Sequence, residues 1–306
     1  MHLEPSDQRA TKQRALAELL DAPVEVRAAG PDEHYRTTVR LGVQGDGRLA
    51  YRRRSSRQLI GVDSCLIAHP AVEELIAAGR FPGAEDVMIR IGARTGERLV
   101  VVGPTAAGAE PGVEGRLIGR DELGAGRRAW IHEEAAGRRW RISAESFFQA
   151  SPEAAETLVE VVGAALRPLE PGARLLDLYA GVGLFGGSLA TGPLMAVEAG
   201  PSACADARVN LAGLDARVVR SRVERFRPRR ADVVVADPSR RGLGRAVVGL
   251  IGRTRADRLA LVSCDVAALR RDATALRAGR WRLVSATLVD AFAQTSQVEV
   301  VTGWSR

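Results

Sequence analysis

The feature that most constrains the fold is a run of alternating strand and helix signals between Arg174 and Trp304. Short apolar stretches, RLLDLYAG, PLMAVEAG, ADVVVADP and RLALVSC, each break on Gly, Pro or Cys. Between them lie segments with helical apolar spacing, such as SACADARVNLAGL. Strand, helix and strand in succession pack most simply as parallel strands joined by crossover helices. The pattern therefore predicts an α/β fold with a doubly wound, mostly parallel sheet, finished by the strand-rich WRLVSATLVD and VEVVTGW.

The chain before this run reads differently. Residues 7–20 place Ala10, Leu16, Leu19 and Leu20 near helical spacing, which predicts a short surface helix packed on the neighbouring chain. From Val24 to about Arg141 come short alternating segments: VEVRA, YRTTVRLGV, GRLAYRRR, QLIGV, VMIRIG, ERLVVVG and RRAWIHEE. Gln44-Gly45-Asp46-Gly47 between two of them is a hairpin signal, and His69 to Ala78 reads as one helix. The chain thus divides into two domains: residues 1–141, a helix plus an α+β module dominated by antiparallel strands, and residues 142–306, the α/β domain. The second carries Ser151-Pro152-Glu153 near its start, a helix cap, a proline at the first helical position and an early acid.

A formal charge of +7 and a pI near 10.2 point to a polyanionic partner, with nucleic acid favoured. Arginine supplies almost all of it, Lys12 being the only lysine. Arg52, Arg53, Arg54 and Arg57, then Arg127, Arg128, Arg138, Arg139 and Arg141 with Trp130 and Trp140, form basic clusters suited to a phosphate backbone and an unstacked base. The bland alternative is a solvated strand face. Cys65, Cys204 and Cys264 are too few and too scattered for a disulfide framework or a paired metal motif, so a reducing cytoplasm and no metal are expected. No signal peptide and no apolar run of ~18 residues is present, so neither export nor membrane insertion is expected.

Chemistry concentrates where the strands of the α/β domain end. Gly181 and Gly183 fall in the first strand-to-helix turn, where the backbone can approach a ligand closely. Glu198 ends the next strand, at the position of a ribose acceptor. The spacing lacks the third glycine of a dinucleotide fingerprint, so a nucleoside cofactor without phosphates, such as S-adenosylmethionine, fits better. Asp237-Pro238 closes a later strand. Cys264 lies at a strand end before a helix, where the helix dipole favours thiolate. Glu299 stands between Val298 and Val300, where an unpaired carboxylate would be costly to bury without an arginine partner or a catalytic role.

Six ordered segments, SFFQAS, DLYAGVGLFG, VEAGPSACADARVNL, DPSRRG, SCDVAALRRD and DAFAQTSQVEVV, resemble the RNA uracil-C5 methyltransferase family over residues 142–306. YRTTVRLGVQGDGRLAYRRRSS and DSCLIAHPAV are similar to its central RNA-facing domain and carry the likeness back to about residue 34. The resemblance implies a Rossmann-like, seven-stranded sheet and methyl transfer from S-adenosylmethionine to C5 of a uridine in tRNA or rRNA. It implies Cys264 as nucleophile, Glu299 as base, and Gln149, Tyr179, Gly181, Gly183, Glu198 and Asp237 around the cofactor. The chain departs from the family at Leu184, Ser239, Asp265, Ala293 and Gln297, and Asp265 beside Cys264 is expected to raise the thiol pKa. Cys65 matches one iron–sulfur ligand of the family while three partners and a small RNA-binding barrel have no counterpart, so no cluster is expected. The segment after Asp237 has neither the aromatic of exocyclic-amine methyltransferases nor the second cysteine of RNA cytosine-C5 enzymes. A catalytically silent RNA-binding protein on the same fold is the alternative, and in either case a monomer is expected.

Overall fold

The structure is a computed structural model that describes residues 3–53, 56, 58–62 and 64–306. Arg54 and Arg57 of the first arginine cluster lie outside the described residues. The chain forms two compact units, one of residues 1–30, 146–149 and 153–306, the other of residues 31–145 and 150–152.

The first unit starts with α1 (Pro5–Leu20) and β1 (Glu25–Ala28). Sequence reasoning groups β1 with the antiparallel strands after it. Instead β1 joins the large α/β sheet, pairing in parallel with Thr287–Asp290. The cause lies in α1, which buries Leu16 and Leu20 in the core of that unit and grips it with polar contacts. The Lys12 Nζ donates to Asp290 at 2.8 Å, and the Gln8 side chain exchanges two hydrogen bonds with Gln294. A strand joined to this helix by a short turn is carried with it to the α/β sheet.

The second unit holds β2 (Thr38–Val43), β3 (Leu49–Arg52), β4 (Leu59–Ile60), α2 (Pro70–Ala78), β5 (Asp86–Ile91), β6 (Arg98–Gly103), β7 (Arg116–Gly119), α3 (Arg120–Gly124), β8 (Trp130–Ala135) and β9 (Arg138–Ser143). Strands β2 to β7 form one sheet in the order β4-β3-β2-β5-β6-β7, antiparallel except for the β6–β7 pair, while β8 and β9 form a separate hairpin. The predicted turn at Gln44–Gly47 joins β2 to β3, with the Gly47 amide donating to Gln44 and its φ at +81°. His69 caps α2 by accepting from the Ala71 amide.

The chain then returns to the first unit with α4 (Pro152–Ala165), β10 (Leu175–Leu178), α5 (Leu184–Leu189), β11 (Leu194–Glu198), α6 (Pro201–Asn210), β12 (Ala216–Arg220), a 3-10 turn (Val223–Arg225), β13 (Val233–Ala236), α7 (Gly244–Arg253), β14 (Arg258–Ser263), α8 (Val266–Ala278), β15 (Arg282–Asp290) and β16 (Val300–Ser305). Their sheet has eight strands, not seven, in the order β1-β15-β16-β14-β13-β10-β11-β12, with β16 alone antiparallel. The added strand is β1. Central strands β10 and β13 are buried at every position, as strands covered on both faces must be. Helix α7 buries Val247, Val248, Leu250 and Ile251, each stabilising by roughly 1.5–3 kcal/mol. Among the described residues no helix is long and apolar enough to cross a membrane.

Candidate active site

Strand order reverses between β10 and β13, and open α/β sheets bind ligands in the crevice beyond the carboxyl ends at such a point. The candidate residues gather along this edge. Leu178 pairs with Ala236, so Tyr179 and Asp237 stand next to each other where the two strands end. On one side lies the β10–α5 turn. Gly181 has φ +54° and Gly183 φ +94°, and a side chain added at Gly181 would meet nothing within 4 Å. The turn thus faces open space, room that a bound group can fill.

Glu198, at the end of β11, braces this turn. Its Oε2 accepts from the Gly181 amide at 2.9 Å, and its Oε1 from the Ala199 and Gly200 amides at 2.7 and 2.6 Å. Sequence reasoning assigns this carboxylate to a ribose. A carboxylate offers about four acceptor positions, so three backbone bonds leave roughly one for a hydroxyl. Holding the glycine turn is its first task.

Asp177, which sequence reasoning passes over, is buried inside β10. Its Oδ2 accepts from the Gly186 amide at 2.8 Å, while its Oδ1 has no hydrogen-bond partner among the described residues. Burial first, then the charges of Asp237 and Glu198, raise its pKa to about 7. An acid within an otherwise apolar strand is the signal that could have found it. Gln149 is buried in the 146–149 segment, anchored by a 2.6 Å bond from the Ser146 hydroxyl to Asp206 on α6. Tyr179, with φ +61°, is half-buried and packs against the core of the α/β unit. Its hydroxyl pKa is pushed up by burial and by the carboxylates of Glu224 and Asp272.

On the other side of the crevice, β14 and β16 run antiparallel with Ser263 opposite Val300. Cys264 and Glu299 are the next residues beyond this last pair. Burial, then the carboxylates of Glu299 and Asp237, push the Cys264 thiol up to about 11, while Arg240 pulls it down. Glu299 is 6% exposed and has no ion-pair partner among the described residues. Burial and then the Asp237 carboxylate raise its pKa well above the ordinary range. Burial also raises Asp237. Thiol and two acids therefore share one electrostatic environment.

Asp265 caps α8, its Oδ1 accepting from the Ala268 amide at 2.8 Å. The thiol is raised, as expected, and the carboxylates that act on it most are those of Glu299 and Asp237. At Gln297, where the family has histidine, the side-chain carbonyl accepts from Arg240 at 3.2 Å. This contact ties the 237–242 loop to the 291–299 loop.

The arginine clusters of the second unit are only partly free for a ligand. Trp140 is fully buried and its indole N–H donates to Ala135, so it cannot stack on a base. Trp130 is partly exposed beneath the guanidinium groups of Arg116 and Arg141, 5.7 and 5.3 Å from its ring centre. Arg52, Arg53, Arg127, Arg128 and Arg139 are exposed. Cys65 is a free, half-buried cysteine, and among the described residues no group of three or more His, Cys, Asp or Glu could hold a metal ion.

A doubly wound sheet with a glycine turn, an acid at the end of the second strand and the antiparallel β16 fits the class of S-adenosylmethionine-dependent methyltransferases. Comparison with known proteins gives the family. An RNA methyltransferase of Streptomyces coelicolor is 34% identical over 98% of this chain and 74% of its own length. The 23S rRNA (uracil(1939)-C(5))-methyltransferase of Chromohalobacter salexigens is 30% identical over 97% of this chain and 71% of its own. Among solved structures, the Pyrococcus abyssi tRNA (uracil-54, C5)-methyltransferase in complex with S-adenosyl-L-homocysteine superposes with a TM-score of 0.80 at 22% identity, covering 99% of this chain and 84% of that one. No family model matches the chain. The chain belongs to the RNA uracil-C5 methyltransferase family, and it is an S-adenosylmethionine-dependent RNA methyltransferase.

Proposed function

We propose that this enzyme methylates C5 of a uridine in tRNA or rRNA through a covalent bond between Cys264 and C6 of the base. The observation that carries the reading is that β14 and β16 end with Ser263 paired to Val300, next to Cys264 and Glu299, and that the buried Glu299 carboxylate acts on the Cys264 thiol. C5 of uracil is a poor nucleophile. Addition of the Cys264 thiolate to C6 shifts the C5–C6 π electrons towards C5 and O4, making C5 an enolate carbon. When bound, S-adenosylmethionine supplies a methyl group on a positively charged sulfur, the electrophile that C5 needs. C5 then carries both the methyl group and its original hydrogen. Glu299 takes that hydrogen as a proton, the C5–H electrons re-form the C5–C6 double bond, and the Cys264 thiolate leaves.

Gln149, Tyr179, Gly181, Gly183, Glu198 and Asp237 would hold the methyl donor, on the support of the open glycine turn and the carboxylate-rich crevice. A target base within paired or folded RNA must be turned out to reach Cys264. The exposed arginines of the second unit suit the flanking phosphates.

Incubation with RNA containing 5-fluorouridine and labelled donor tests the chemistry. Fluorine at C5 cannot be removed as a proton, so the reaction stops at a labelled protein–RNA adduct. Its absence in Cys264→Ala and presence in the parent is the expected result. An unlabelled, reversible complex identical in both proteins would instead identify a silent RNA binder. Nucleoside mass spectrometry of tRNA and rRNA from a strain lacking the gene then tells the two RNA classes apart.

A further inference from the structure

Residues 217–230, RVVRSRVERFRPRR, hold seven arginines and a single acid, Glu224, a surplus of six positive charges in a chain whose total is +7. All seven, Arg217, Arg220, Arg222, Arg225, Arg227, Arg229 and Arg230, are exposed. Among the described residues none of them is in an ion pair, whereas neighbouring Arg174 is paired bidentately with Asp232 at 2.6 and 2.9 Å. The segment comprises the edge strand β12, the 3-10 turn and the loop that leads back to β13. At the amino-terminal edge of the sheet its two ends meet around a cavity of about 260 Å³. Arg174, Arg217, Arg229 and Arg230 line the cavity with a single acid, Asp215, and Leu176 and Met195 contribute to its apolar lining. Cys264 lies at the other edge, so this is not the catalytic crevice.

Guanidinium groups crowded on one strip repel one another, and Glu224 is the only acid the strip itself sets against them. Chain folding does not need them there: the core contacts of this region come from Val223, Ala231 and Val219. A cationic rim around an apolar floor matches a nucleotide, whose phosphate is anionic and whose base has an apolar face.

We infer that the strip 217–230 and its cavity form a second RNA-binding site, which grips the sugar–phosphate backbone of the substrate away from the reacting uridine and seats one unstacked nucleotide between Arg217, Arg229 and Arg230. The inference rests on RNA being the substrate. It does not depend on which atom of the base is methylated.

The test compares the parent with the R217Q/R229Q/R230Q variant by fluorescence anisotropy on a labelled, mixed-sequence single-stranded oligoribonucleotide over a range of salt concentrations. Three lost phosphate contacts should weaken binding about tenfold at low salt and flatten the slope of log affinity against log salt by about 2. Thermal midpoint and binding of S-adenosylhomocysteine should be unchanged, since all three side chains are exposed. A variant with the parent's affinity and slope overturns the proposal. So does a parent that binds inorganic polyphosphate as tightly as RNA, because charge alone would then account for the patch. Neither measurement requires turnover, so failure here leaves the adduct test intact, and failure of the adduct test leaves these intact.

Discussion

Cys264 sits in surroundings that oppose its own ionisation: it is half-buried, with Glu299 and Asp237 close by and Arg240 acting the other way. Reaction needs the thiolate, and later an ionised Glu299 to receive the C5 proton. The thiol is pushed up to about 11, so at neutral pH Cys264 is mostly in the protonated, unreactive form, and the Glu299 carboxyl is raised in the same direction. Raising the pH favours the thiolate, so kcat/KM should climb from about pH 6 and still be rising at about pH 10 rather than peak near neutrality. Arg240→Gln should move this rise to higher pH, since it removes the cation that opposes the two acids, together with its bond to Gln297. Initial rates of methyl transfer across that range, in both proteins, check it; an unchanged profile counts against Arg240 acting on the thiol. Asp265 illustrates how a residue type alone shows only part of a role. Read beside Cys264 it is a nearby negative charge; folded, its carboxylate also caps the first turn of α8.

At the scale of elements, the 237–243 loop carries Asp237 and Arg240 and must be fixed relative to β14. Asp272, on α8 and 2% exposed, does this by accepting from the Leu243 amide at 2.7 Å and the Gly244 amide at 2.9 Å. Gly242, with φ +76°, is required because any Cβ would lie 2.3 Å from the Asp272 oxygen. Asp272→Ala strands two amides and should lower unfolding free energy by about 3 kcal/mol, read from urea denaturation. It should also lower both turnover and donor affinity, since the loop it braces carries Asp237 as well as Arg240. The last Asp of SCDVAALRRD is legible as part of a motif, but its work as a brace is not, because the bond spans α8 and the start of α7. Likewise the β-α alternation identifies the parallel strands correctly, while VEVRA has the same alternating pattern in either sheet. Only the docking of Leu16 and Leu20 chooses between them.

At the scale of the whole molecule, charge is segregated within the α/β unit: acids are gathered at the carboxyl edge of the sheet, and exposed arginines along its β12 side. The buried acids make stability pH-dependent. Asp177 has a folded pKa of about 7 against an ordinary 3.8, so the folded state binds the proton more tightly than the unfolded chain. Its contribution is fully present below about pH 4 and is lost as pH rises through 7. Relative to Asp177→Asn, the parent should therefore lose stability between these limits, by up to roughly 4 kcal/mol, and show no further difference above them. Thermal midpoints of both proteins across that range check it. The sequence alone determined the period of the strands and helices, the glycine turn, and which residue types stand at the strand ends, because these are local properties of contiguous residues. The tertiary structure alone decided that β1 is the eighth strand, that the Glu299 carboxylate acts on Cys264, that Glu198 braces a turn, and that Arg174, Arg217, Arg229 and Arg230 line one cavity. Each of these depends on strand register or helix docking between segments far apart in the chain, and that is set by the packing of the core as a whole.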